Sequence, residues 1–341
     1  MTRERLTTVL KVLISVGLMG YLFYRFLSDP TDRAALLQSL AGARYVYLLL
    51  ALGLFEAAIV TNAVKWYILL KAQGVPVPLG ALTTYTFVGF FFNNFLPANV
   101  GGDVMRGFGV ARYTERNADA AVSVVVDRII GLMAYMFSAV VAALVTVNLM
   151  AGRAADAVLL QNLTQVEVVA ILGLAAIAGL FAIMLSHRLR RLFGRAFAFP
   201  LLRPLAPLYG QVSGAFGAYR HQYRALLLAF GLGLANIALT SLVDIAIVAG
   251  LRGNIPPIYI FLFNPIIAVV LIAPISIGGL GTMSVLYVYF YGLVGVPQTL
   301  AFALSLIKQA VIYLGSLPGG GLWLRTQKRR ATVSASPPPA S

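Results

Sequence analysis

The chain has 341 residues, of which 60% are hydrophobic and only 11% charged, and it carries a net charge of +15. This composition excludes an ordinary soluble domain, and because the basic residues fall between apolar runs rather than alternating with aromatics, it excludes nucleic acid as their partner. There is no cysteine, which excludes disulfides and thiol catalysis.

A bilayer core of roughly 30 Å takes about 20 apolar residues per helical crossing. Residues 6–27, preceded by Arg3 and Arg5, interrupted by Lys11 and lacking a small-residue cleavage site, read as an uncleaved first transmembrane helix. It runs outward under the positive-inside rule, and the balanced charges Asp29, Asp32, Arg33 and Arg44 predict an external loop. Residues 45–70 return inward, ending at Lys65 and Lys71 with Trp66 and Tyr67 as interface anchors.

Residues 81–96 and 103–113 are each too short to span alone, and a re-entrant hairpin entered from the cytoplasm accommodates both. Residues 121–150 cross outward and 168–185 come back. They deliver the chain to residues 187–224, which hold seven arginines and no acid and are therefore a cytoplasmic loop. Its Phe193, Phe197, Phe199, Leu201 and Leu202 suggest an interfacial helix on anionic lipid headgroups. Residues 225–251 cross outward with Asp244 inside the span, 258–273 and 282–293 flank a second hairpin entered from outside, and 298–324 cross inward. The tail, 325–341, is basic and then Pro-rich, and is expected to be cytoplasmic and disordered.

The expected fold is therefore an all-α polytopic membrane protein with eight hydrophobic segments, about six of them full transmembrane helices, plus two re-entrant broken-helix hairpins. Residues 1–324 form one integral-membrane domain, and its halves, about 45–150 and 225–324, enter the membrane from opposite faces as an inverted repeat. Reading the hairpins as short full crossings also leaves the C-terminus inside, so loop charge alone leaves both topologies open.

The strongest internal signal is a repeated P-x-x-x-G-G: Pro97, Gly101 and Gly102 recur as Pro274, Gly278 and Gly279, with Gly281 following. Freed backbone groups in hydrocarbon cost several kcal/mol each when unsatisfied, so such breaks persist only against protein or a wet cavity. If a helix begins at each glycine pair, two positive N-terminal ends converge near the midplane, where glycine lets backbone N–H groups approach a phosphate. A plain packing kink is the alternative.

Asp103 and Arg106 share a face of the helix after the first break, Asp103 as its cap or as a group handling substrate or protons, Arg106 as a phosphate ligand. Arg112 reads as an interface anchor. Asn93, Asn94 and Asn99 surround the break and can bond its carbonyls or a headgroup. Asp127 and Arg128 are an internal ion pair or part of the site, and Lys308, near the middle of the last crossing, is a functional cation. Glu56 and Asp244, also mid-span, are candidate partners for Lys308, Arg106 or Arg128. There is no metal-ligand cluster, no nucleophile triad and no nucleotide-binding GxxxxGK, so neither an enzyme nor a cofactor is expected.

With these residues in place, the chain resembles the integral-membrane domain of the lysylphosphatidylglycerol synthase/flippase family over roughly residues 10–324. The likeness rests on Leu96-Pro97 through Gly101-Gly102-Asp103 with Arg106, on Asp127-Arg128 followed by Gly131, and on Ile277-Gly278-Gly279-Leu280-Gly281. It implies translocation of aminoacylated phosphatidylglycerol, a related anionic lipid, or a polyprenyl-linked or hopanoid lipid between leaflets. The aminoacyl-transferase domain of bifunctional members is not in this sequence. Met283 and Ser284 stand where the family often has a base and an acid, and Lys308 where arginine is common.

The leading expectation is a lipid flippase of a bacterial inner membrane, with headgroup contacts from Asn93, Asn94, Pro97, Asn99, Gly101, Gly102, Asp103, Arg106, Asp127, Arg128, Gly278, Gly279, Gly281 and Lys308. A homo-oligomer is compatible with it. The alternatives are a non-transporting membrane partner that presents lipid to a separate enzyme and a carrier of small soluble anions.

Overall fold

The computed structural model describes residues 3–95, 101–151, 157–185, 217, 219–273 and 275–334, and in them the chain is helical. In order the helices are α1 (Arg3–Ser28), α2 (Pro30–Ala41), α3 (Tyr45–Ala72), α4 (Leu79–Asn93), α5 (Gly101–Thr114), α6 (Asn117–Ala151), α7 (Ala157–Leu185), α8 (Tyr223–Gly250), α9 (Pro257–Val270), α10 (Thr282–Gly292) and α11 (Gln298–Ser334). Five of the described helices, α1, α3, α6, α8 and α11, are long and apolar enough to cross a membrane. Leu13, Val16, Tyr45, Leu49 and Leu227 stand exposed on them, as expected of side chains facing lipid. The protein is a multi-pass membrane protein.

The predicted external loop after residue 28 is instead α2. Asp29 caps it, its carboxylate accepting from the Thr31 and Asp32 amides at 2.8 and 3.3 Å, with Pro30 as the first helical residue. Those two bonds, that of Thr31 first, hold the Asp29 carboxyl below the usual carboxylate range. At the other end of the chain, α11 continues to Ser334, so the helix takes in the first part of the predicted disordered tail. Most of the basic loop, including Phe193 to Leu202, lies outside the described residues, as do Pro97, Asn99 and Pro274.

Two sets of four helices, α3–α6 and α8–α11, repeat the same order: long, short, short, long. α3 and α8 pack against each other and run antiparallel, since Arg44 N–H donates to Gly250 C=O at 2.9 Å while the Asn236 side chain donates to Ala58 C=O at 2.6 Å. The remaining contacts come in matching pairs: α4 lies on α11 as α9 lies on α6, α5 on α6 as α10 on α11, and α3 on α4 as α8 on α9. Equivalent helices thus point in opposite directions, and the first short helix of each set is held by the last long helix of the other.

The short helices have 15, 14, 14 and 11 residues, or at most roughly 22 Å each at 1.5 Å per residue. In the first hairpin, glycine permits contact that a methyl would forbid: a Cβ on Gly102 would lie 2.0 Å from the Gly89 carbonyl oxygen. In the second, the helix starts where the predicted 282–293 segment does, and not at the Gly278-Gly279 pair that the converging-ends reading requires. Gly278, Gly279 and Gly281 take φ of +56°, +75° and +78°, left-handed values that end helical winding, and α10 begins only at Thr282. α1 supports this unwound segment, its Ser15 hydroxyl accepting from Ile277 N–H at 2.9 Å while Leu18 and Met19 close on Gly281.

Candidate functional site

The two breaks touch. Gly278 lies so close to the first hairpin that a Cβ on it would stand 2.7 Å from the Asn94 carbonyl oxygen. Around that contact is a cavity of about 270 Å³, lined among others by Asn62, Lys65, Asn93, Asn94, Gly102, Asp103, Arg106, Asp127, Arg128, Gly278 and Gly279. Residues of both repeats therefore share one wall, although they are widely separated in sequence.

Three helices set the charges there. α5 carries Asp103 and Arg106 on one face, three residues apart, and α6 carries Asp127 and Arg128. α3 contributes Lys65. The five groups form a chain of alternating sign. Lys65 Nζ lies 3.1 Å from Asp127 Oδ1, Arg106 Nη2 donates to Asp127 Oδ2 at 2.7 Å, and Arg106 Nε lies 2.9 Å from Asp103 Oδ1. Arg128 Nε donates to the other oxygen of Asp103. The sum is three cations against two carboxylates, an excess of one positive charge in a site where an unbalanced charge is costly.

Packing fixes this arrangement. The Arg106 guanidinium lies over the Trp66 ring at 4.9 Å from its centroid, and Trp66 Nε1 donates to the Ser123 hydroxyl at 3.0 Å. Lys65, Arg106 and Asp127 side chains are all under 10% exposed, whereas that of Arg128 is 37% exposed. Adjacent residues on a helix point about 100° apart, so Asp127 faces inward while Arg128 reaches the rim. On the outer side of α5, Val104 and Phe108 are exposed apolar surface.

Asn93 and Asn94 serve the first break structurally. Asn93 Oδ1 accepts from Gly102 N–H at 2.8 Å, taking one of the free donors at the start of α5, and Asn94 donates to the Ser316 hydroxyl of α11 at 2.6 Å. Asp103 turns its carboxylate to Arg106 and Arg128 rather than to the backbone beneath it. Asp127 pairs with Lys65 and Arg106, not with its neighbour Arg128.

Lys308 and Gly281 lie elsewhere. Lys308 Nζ donates to Asp244 Oδ2 at 2.8 Å and to Asn264 Oδ1 at 2.9 Å, within the second repeat, and Gly281 packs on α1. Gly101 opens α5. Lys65 is the residue that reading the sequence missed. It was expected as a charge at the membrane-interface end of its span, with Trp66 as an anchor beside it, yet both are buried inside the bundle, where α3 packs against α4, α6 and α8. A charge 21 residues into a 28-residue apolar helix was the available signal.

Residues 8–319 match the family model described as the lysylphosphatidylglycerol synthase TM region. No significant match is found among curated proteins or solved structures.

Proposed function

The chain belongs to the lysylphosphatidylglycerol synthase transmembrane-region family, and from that membership we propose that it moves a phosphate-headgroup lipid between bilayer leaflets. The observation that carries this reading is the cation excess of the Lys65–Asp127–Arg106–Asp103–Arg128 chain beside two glycine-walled helix breaks. An anionic phosphodiester supplies the missing negative charge. Arg128 meets the phosphate first, at the rim, with Arg106 and Lys65 behind it.

The flanking surface favours a lipid over a small soluble anion. Val104 and Phe108 carry apolar surface alongside α5, so acyl chains stay in hydrocarbon while the headgroup enters the cavity, and the hairpins act as re-entrant elements around it. The role we propose is that of a carrier.

The test is headgroup-resolved translocation in proteoliposomes, comparing wild type with Arg128→Gln. Arg128 is the most exposed member of the cluster and Asp103 keeps its pairing with Arg106 in the variant, whose folding is checked by its thermal midpoint in detergent. We expect wild type to move an anionic phospholipid and Arg128→Gln to move it at least tenfold more slowly. Wild-type vesicles no faster than protein-free ones, across the headgroups of a bacterial membrane, overturn the reading.

A further inference from the structure

The second repeat contains a counterpart of the cavity's ion pair, with the charges exchanged. Asp127 is the eleventh residue of α6 and Lys308 the eleventh of α11, the equivalent helix. Lys65 is the 21st residue of α3, and Asp244 the 22nd of α8. Lysine and aspartate have thus traded helices: Lys65 of α3 pairs with Asp127 of α6, whereas Asp244 of α8 pairs with Lys308 of α11.

The correspondence extends to the short helices. Arg106 and Tyr287 are each the sixth residue of theirs, and each bonds the aspartate of its pair: Arg106 to Asp127 at 2.7 Å, Tyr287 to Asp244 at 2.9 Å. Asp103 and Ser284 are both third. Around the second pair, Asn264 accepts from Lys308 and donates to Thr240 and Ser241 at 3.0 Å, and the Lys308 ammonium lies 5.5 Å from the centre of the Tyr287 ring. Ser305 donates to Ser284 at 2.9 Å.

One difference separates the two sets. Lys65, Asp127, Arg106 and Asp103 line the cavity, while Asp244, Lys308, Tyr287 and Ser284 do not, and Asp244 is fully buried. In a carrier made of inverted repeats, the opposite-facing state arises when the halves exchange conformations. We propose that Asp244, Asn264, Tyr287 and Lys308 form a second polar station, closed here, which becomes the cavity wall in the opposite-facing state. In that state the first station is packed shut in its place.

Resting on the function proposed above, the Lys308 ammonium then meets the same phosphate. It does so more weakly, because Asp244 leaves this station with no net charge against one positive charge in the first. The headgroup is held tightly on one side of the cycle and loosely on the other.

The absence of cysteine gives single-cysteine probes no background. Asn62→Cys reports on the present cavity and Ser284→Cys on the closed station. In proteoliposomes we expect a membrane-impermeant thiol reagent to modify the two positions from opposite faces. Translocation is also compared in the Asp244→Asn/Lys308→Met double variant, whose neutral side chains of similar volume avoid leaving one charge buried alone. We expect it to be slowed at least tenfold with Asn62→Cys labelling retained, which a merely structural pair does not do.

Modification of Ser284→Cys from neither face, or only from the face that modifies Asn62→Cys, in protein that translocates lipid overturns the proposal. So does unchanged translocation by the double variant. If wild type moves no lipid while the two probes still label from opposite faces, the second station stands and the phospholipid reading falls.

Discussion

At the scale of single residues, Asp127 is the junction of the site. One carboxylate faces a lysine ammonium with one oxygen and accepts from an arginine on the other, at 3.1 and 2.7 Å, with the side chain 3% exposed. Asp127→Asn removes the charge and leaves Lys65 and Arg106 sharing what Asp103 can supply, so we expect a loss of about 3–5 kcal/mol, read as a lowered thermal midpoint in detergent. The junction joins positions 62 residues apart in sequence. No local spacing rule could have revealed it. Asp103 with Arg106 was legible because three residues on a helix share a face, while Lys65 was assigned to the interface because positive charge near the end of a span usually marks one.

At the scale of elements, the helices obey two rules that sequence shows unequally. Apolar length is visible, and most of the long spans were legible within a few residues, although α7 begins at Ala157 rather than 168 and α11 runs on to Ser334. Proximity is not. The first hairpin closes because Gly102 and Gly89 bring two backbones together, a Cβ on the former lying 2.0 Å from the carbonyl of the latter. Gly102→Ala must therefore part the helices, and we expect at least the ~1–3 kcal/mol typical of overpacking. Gly53→Ala, where nothing lies within 4 Å of the added carbon, should be neutral or stabilising by up to ~1 kcal/mol from helix propensity. Thermal unfolding of the two variants in parallel separates them. α2 escaped notice because its charges were read as loop, although Asp29 before Pro30 is a helix start. The extra unwinding of the second break lay in Gly281, whose positive φ delays α10 beyond the pair that the motif emphasised.

At the scale of the whole molecule, the inverted order of helices was legible from the repeated motif and the loop charges. The way the halves interlock was not, because α4 reaches α11 and α6 reaches α9 only in three dimensions. Nor did the motif alignment expose the exchanged lysine and aspartate: the helices after the two breaks start at different distances from their glycines, which puts the partners out of step. Each of the two ion pairs, however, is closed within its own half, α3 with α6 and α8 with α11. Neither half asks the other to neutralise a buried pair, and among the described residues the halves are joined by apolar packing and by uncharged hydrogen bonds such as Asn94 to Ser316 and Asn236 to Ala58. The chain is in this sense two polypeptides written as one, each pairing its own buried lysine with its own aspartate. Severed between α7 and α8 and co-expressed, its fragments should find each other in the membrane, copurify as a stoichiometric complex and regain translocation.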